Sequence, residues 1–134
     1  MRLINYILLI CSLCVGLIAH GQVIVNDQLE CSWLDYELGN IAIGESASCR
    51  LTIKNISTSN LEIKHLITSC SCVTASAKER IIKPGLSIDI DILYKSSYRK
   101  SGESYQQIIL YMKDESVYAF GIHATLEYTI DTDV

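Results

Sequence analysis

The sequence is short of several things, and each shortage excludes something. It holds a single proline in 134 residues and no low-complexity stretch, while 49% of it is hydrophobic, which argues against a disordered chain. Charged residues make up only 19%, and the 11 Lys and Arg are outnumbered by 15 Asp and Glu, for a net charge of −4. A nucleic-acid partner requires an excess or a patch of cations to meet phosphate, so this balance speaks against one. The length is too small for a large catalytic scaffold such as a TIM barrel of about 250 residues, and it matches one domain of roughly 100–200. After residue 21 no segment carries a sustained 3.6-residue apolar stripe, and no internal repeat or interdomain linker interrupts the chain.

Only one long apolar run is present, at the start. Arg2 supplies one positive charge, Ile7 to Ala19 is almost unbroken apolar sequence, and Ala19-His20-Gly21 forms a small-x-small site. This is the pattern of a signal peptide with an apolar core of about 7–15 residues. A membrane span needs about 20 apolar residues with basic flanks. The sequence therefore predicts an N-terminal signal helix over 1–21, cleaved after Gly21, with residues 22–134 as one domain and no transmembrane segment after cleavage. Cys11 and Cys14 follow Ile10 and Leu13, bulky where a lipoprotein site has a small residue, so they read as small hydrophobes of the leader. Cleavage removes Arg2 and leaves a charge of −5. The expected location is the periplasm, the cell surface or the medium. In such an oxidising compartment Cys31, Cys49, Cys70 and Cys72 are disulfide candidates, and three pairings are open.

The mature part alternates with a period of two. Cys49, Leu51 and Ile53 face one way, and Ser48, Arg50, Thr52 and Lys54 the other. Ile88, Ile90, Ile92 and Tyr94 oppose Ser87, Asp89 and Asp91. Tyr118, Phe120, Ile122, Ala124, Leu126, Tyr128 and Ile130 form a third alternating series. Half-buried antiparallel strands produce this pattern. Breaks at Gly44-Glu45, Asn55 to Asn60, Pro84-Gly85, Ser101-Gly102 and Lys113 to Ser116 place strands near 31–38, 47–54, 61–67, 71–75, 86–95, 104–112 and 117–128. About seven such strands predict an all-β, immunoglobulin-like antiparallel sandwich. Its core would take Leu51, Ile53, Leu61, Ile63, Ile88, Ile90, Ile92, Ile108 or Ile109, Leu110, Phe120, Ile122 and Leu126, with Asp131 to Val134 as a frayed end.

An ordered series runs through these strands: Gly39-Asn40-Ile41, Gly44-Glu45, Leu51-Thr52-Ile53-Lys54-Asn55, Leu61-Glu62-Ile63, Thr68-Ser69-Cys70-Ser71-Cys72-Val73-Thr74, Lys83-Pro84-Gly85, Ile88 to Ile92 and Lys100-Ser101-Gly102. Over about residues 35–128 it resembles the bacterial exported family catalogued as domain of unknown function 1573, abundant in Bacteroidetes. The resemblance implies an immunoglobulin-like sandwich of the Hydin and PapD type, and no particular activity. Two departures stand out. Ser71 replaces the usual glycine between the cysteines, and Ile122-His123-Ala124-Thr125-Leu126 replaces an Ile-x-Gly-x-Val.

Chemistry-bearing residues are sparse. In an extended strand Cys70 and Cys72 would share a face with Cα atoms about 6.4–6.8 Å apart, marginal for a bridge unless the backbone turns. Left reduced, they could grip Cu(I) or Zn(II) with His65 as a third ligand, or His123 if its strand were adjacent, but the set is half a site. A Cys31–Cys49 bridge is equally open. His123 is expected to be an exposed, uncoordinated imidazole. Asp89 and Asp91 read as a solvated face, and Lys95, Arg99 and Lys100 beside Tyr94 and Tyr98 as an exposed hairpin end. Asn55-Ile56-Ser57 matches a glycosylation sequon, without meaning in a bacterial chain. Tyrosine is frequent, at eight residues, and suits recognition surfaces. No nucleophile–base pair stands out. The expectation is a non-enzymatic binding or structural module without cofactor, whose partner is another envelope or secreted protein. The alternative is a thiol redox or copper-handling protein using Cys70 and Cys72.

Overall fold

A computed structural model describes residues 22–97 and 99–128. The expected signal helix over 1–21, Tyr98 and the frayed end Asp131–Val134 lie outside the described residues. Those described form ten strands and no helix: β1 (Val23–Ile24), β2 (Leu29–Cys31), β3 (Asp35–Ala42), β4 (Ser46–Asn55), β5 (Leu61–Thr68), β6 (Val73–Ala77), β7 (Ile81–Ile82), β8 (Ser87–Lys95), β9 (Gly102–Met112) and β10 (Val117–Glu127). Two five-stranded sheets result, ordered β1-β2-β4-β8-β6 and β3-β10-β9-β5-β7.

The alternation decides which side chains meet between the sheets. In β8, Ile88, Ile90, Ile92 and Tyr94 are buried while Ser87, Asp89 and Asp91 are exposed. From the opposite sheet Ile63, Ile108, Leu110, Phe120, Ile122, Ala124 and Leu126 complete the core. Between the two Ile108/Ile109 registers the ladder selects Ile108 for the interior. The turn before β8 follows from Lys83-Pro84-Gly85-Leu86. Proline fixes the first central position, Gly85 takes φ +77°, and Leu86 N–H donates to Lys83 O at 3.0 Å, a type II pattern.

Three expectations are corrected. The strand foreseen at 31–38 is two strands in different sheets. Ser32 N–H still donates to Thr52 O in the first sheet, whereas Leu34 O already accepts from Gly121 N–H in the second. Between them the Trp33 indole donates to Arg50 O at 2.9 Å and packs edge-on against Phe120. This split and the short strands β1 and β7 raise the count from seven to ten. Secondly, the sandwich is only mostly antiparallel, because β3 runs parallel to β10, with a bulge where Leu38 and Gly39 oppose Ala124. Thirdly, β6 begins at Val73 rather than 71, because the chain turns at the cysteines.

Asn55, read as part of a sequon, is buried, so it offers no exposed amide. Its Nδ2 donates to Ser59 O and Ile82 O, both at 2.7 Å, and its Oδ1 accepts from Ser57 N–H at 2.9 Å.

Candidate functional site

The cysteine turn precedes β6. Cys70 and Cys72 are joined by a disulfide with Cα atoms 5.1 Å apart, closer than an extended pair allows and inside the usual disulfide range. The approach is possible because Val73 N–H donates to Cys70 O at 3.1 Å, while Thr68 Oγ1 lies 3.0 Å from both Cys70 O and Val73 O. Ser71 fits without a left-handed backbone, since Glu115 is the only described non-glycine residue at positive φ. The loss of glycine between the cysteines therefore leaves the turn intact. Two donors converge on Cys70 Sγ: Cys72 N–H at 3.1 Å and Arg99 Nη1 at 3.8 Å.

Cys31 and Cys49 do not bridge. Cys31 sits opposite Ile53 in the ladder, and Cys49 lies four residues along the same strand, about 13 Å away at strand rise and beyond disulfide reach. Both thiols are free. Burial pushes the Cys49 thiol up to about 11. Burial also raises Cys31, partly offset by a hydrogen bond from the Trp33 backbone.

The other singled-out residues fall apart as a site. His65 is exposed in mid-β5 opposite Tyr111, and its strand continues to Thr68 instead of folding back on Cys70. No three His, Cys, Asp or Glu side chains among the described residues are grouped to hold a metal ion. His123, expected to be an exposed, uncoordinated imidazole, is half-exposed and lies beside Asp35 Oδ1 at 3.4 Å and the Tyr105 ring, centroids 4.6 Å apart. Gly121 permits this, because Asp35 and Tyr105 both close over the space its Cβ would fill. Asp89 and Asp91 are exposed and share Arg50, whose Nε lies 3.0 Å from Asp91 Oδ1. The basic cluster divides. Lys95 and Lys100 face solvent, Arg99 turns in toward Cys70, and Tyr94 is wholly buried with its hydroxyl donating to Ser104 Oγ at 2.9 Å.

What the sequence did not reveal is an open sheet edge. Lys95 N–H donates to Cys72 O at 2.8 Å. In an antiparallel ladder hydrogen-bonded pairs recur every second residue, so the Thr74–Leu93 and Ser76–Asp91 pairs bond to each other. The backbone groups of Val73, Ala75 and Ala77 then point away from β8. Those of Val73 are taken by Cys70 O and Thr68 Oγ1, which leaves Ala75 and Ala77 facing outward. The strand Val-Thr-Ala-Ser-Ala carries no charge, proline or bulge, the features by which sheet edges are normally blunted. The other edges are blunted. β1 and β7 have two residues each, and β3 carries Asp35, Glu37 and the bulge, with Gly39 N–H already bonded to the Glu37 carboxylate at 3.0 Å. Strand composition could have flagged β6, but only the strand order shows that it lies at an edge.

A family model described as protein of unknown function (DUF1573) matches residues 29–124. Among solved structures, a protein of unknown function from Porphyromonas gingivalis W83 is similar over 83% of this chain and 50% of its own, with 17% identity and a TM-score of 0.63. The ASH/PapD-like domain 7 of human CEP192 is similar over 78% of this chain and 88% of its own, with 11% identity and a TM-score of 0.61. The Vibrio cholerae VesB protease is similar over 74% of this chain and 32% of its own, with 14% identity and a TM-score of 0.58. The chain thus spans half the length of the Porphyromonas protein and about a third of the protease. At such identities the likeness is one of fold, a PapD-like sandwich, and says nothing of activity. No curated protein matches the sequence.

Proposed function

Since the chain belongs to the DUF1573 family, whose description carries no activity, we propose that it is an exported, non-catalytic binding module that takes an extended segment of a partner protein onto the β6 edge. The observation that carries this reading is the outward pair Ala75 and Ala77 on an uncharged, unbulged edge strand. Strand addition supplies affinity through main-chain hydrogen bonds and specificity through alternate side chains, here those beside the exposed Thr74 and Ser76. The disulfide turn and Thr68 hold the start of the strand in place. Export to the periplasm, cell surface or medium rests on the leader-like pattern of residues 1–21, and an envelope or secreted partner follows from it. The described residues contain no helix long and apolar enough to cross a membrane.

Hydrogen exchange tests the reading. In the purified protein the amides of Ala75 and Ala77 should exchange far faster than those of Thr74 and Ser76, and partner binding should protect them. Ala75→Pro removes no bond to β8, because that N–H faces outward. It should leave the fold intact and abolish crosslinks from a photoreactive residue at Thr74 to an envelope protein. Protected Ala75 and Ala77 amides in the isolated protein, or crosslinks that survive Ala75→Pro, would refute strand addition.

A further inference from the structure

The Cys70–Cys72 disulfide fastens no two strands together. It closes across one residue, so it removes little freedom from the unfolded chain, a benefit that grows with loop length. The turn around it is already held by Val73 N–H on Cys70 O and by Thr68 Oγ1. Both cysteines are half-buried and reachable from solvent, unlike the buried Cys31. The two sulfurs also differ. Cys70 Sγ receives an amide N–H and a guanidinium N–H, at 3.1 and 3.8 Å, from groups that also stabilise a thiolate. No such donor approaches Cys72 Sγ among the described residues.

We infer that Cys70–Cys72 is a reversible thiol–disulfide exchange site with a fixed direction, in which an external thiol attacks Cys72 and Cys70 departs as the stabilised thiolate. A thiolate RS⁻ attacks Cys72 Sγ, the Cys70–Cys72 bond breaks, and its electron pair passes to Cys70 Sγ beside Arg99 and Cys72 N–H. A second thiolate attacks the outer sulfur of R–S–S–Cys72, releasing RSSR and a Cys72 thiolate that takes a proton from water. Two thiols are oxidised and the protein disulfide is reduced by two electrons. The direction follows from chemistry: the sulfur with the more stable thiolate is the better leaving group, and attack falls on its partner. Cys31 and Cys49 stay outside the exchange, being distant and held as neutral thiols by burial.

The test uses the full-length oxidised protein and glutathione. Samples are quenched with acid and N-ethylmaleimide at short times, and the adduct is located by fragmentation of the peptide holding residues 65–78. The glutathione adduct should sit on Cys72 in at least about tenfold excess over Cys70. Arg99→Gln should slow reduction about tenfold, and Arg99→Lys should restore most of the rate. A disulfide that millimolar glutathione leaves intact in the folded protein, an adduct shared equally or lying on Cys70, or an unchanged rate in Arg99→Gln would each overturn the proposal. If Arg99→Gln fails to fold, the reduced wild-type protein decides. Iodoacetamide should capture Cys70 with a midpoint at lower pH than Cys72, and the reverse order overturns the proposal.

Discussion

Truncating Asn55 should unfasten three segments at once. The side chain is fully buried where β4 ends, and its amide reaches Ser59 O in the following loop and Ile82 O in β7, while its carbonyl oxygen holds Ser57 N–H. Asn55→Ala strips the buried Ile82 carbonyl of one of two donors, the other being Leu61 N–H across the β5–β7 ladder, at a cost of about 1 kcal/mol. The Ser59 carbonyl and Ser57 amide are half-exposed, and water replaces part of what they lose, so each costs ~0.5–1 kcal/mol. The total is about 2–3 kcal/mol, a large share of the ~5–15 kcal/mol that holds a domain together. At about 4 °C per kcal/mol for a domain near a hundred residues, the midpoint should fall by roughly 8–12 °C. Urea melts followed by far-ultraviolet circular dichroism and Trp33 fluorescence should show a lower midpoint with an unchanged slope. A loss below about 1 kcal/mol would refute the view that this one amide joins the loop, β7 and the end of β4. Asn55→Asp adds a sign. Burial raises the carboxyl's folded pKa above its unfolded value, so the variant should be closest to wild type below the unfolded pKa and lose stability as pH rises through the folded one.

Gly121→Ala should push aside the ends of the Asp35 and Tyr105 side chains. Because both are flexible, stability should change by less than about 1 kcal/mol. The Tyr105–His123 contact, now at 4.6 Å, should vanish from nuclear Overhauser spectra, and its survival would refute the crowding. Cys49, pushed up to about 11 by burial from an ordinary 9.0, should react with iodoacetamide at pH 8 about 100-fold more slowly in the folded protein than in urea. A near-equal rate would count against its burial. Because the folded pKa is the raised one, stability from this thiol is full below pH 9 and declines as pH climbs through 11. Urea midpoints measured from pH 8 upward check this against Cys49→Ala, in which that part of the decline should be missing.

Periodicity made the layers legible. The faces of Ile88, Ile90 and Ile92, of Leu51 and Ile53, and of Phe120, Ile122 and Leu126 could be read from the sequence, because alternation reports which side chains leave water. It does not report which strand lies beside which. The jump between sheets at Ser32–Leu34 depends on hydrogen bonds to Thr52 and Gly121, far along the chain. The same blindness hid the site. Nothing near Val73–Ala77 tells that β8 flanks it on one side only, nothing near Cys70 announces Arg99 from across the sequence, and Asp35 meets His123 only because β3 docks on β10. The Ile108/Ile109 choice needed the ladder as well, since either isoleucine continues an apolar pattern.

The parallel docking of β3 on β10 has a bearing on how the chain comes to be folded. The strands β1, β2, β4, β6 and β8 all lie before residue 96, so one layer can assemble early. Its mate waits for β9 and β10. Joining Asp35 to Gly121 closes a loop of roughly 85 residues, an entropic toll met late and recovered only when both partners exist. Such non-local pairing puts the chain among slow folders, on the millisecond-to-second scale. Until it forms, the greasy inner side of the first layer stands open to water and to neighbouring chains.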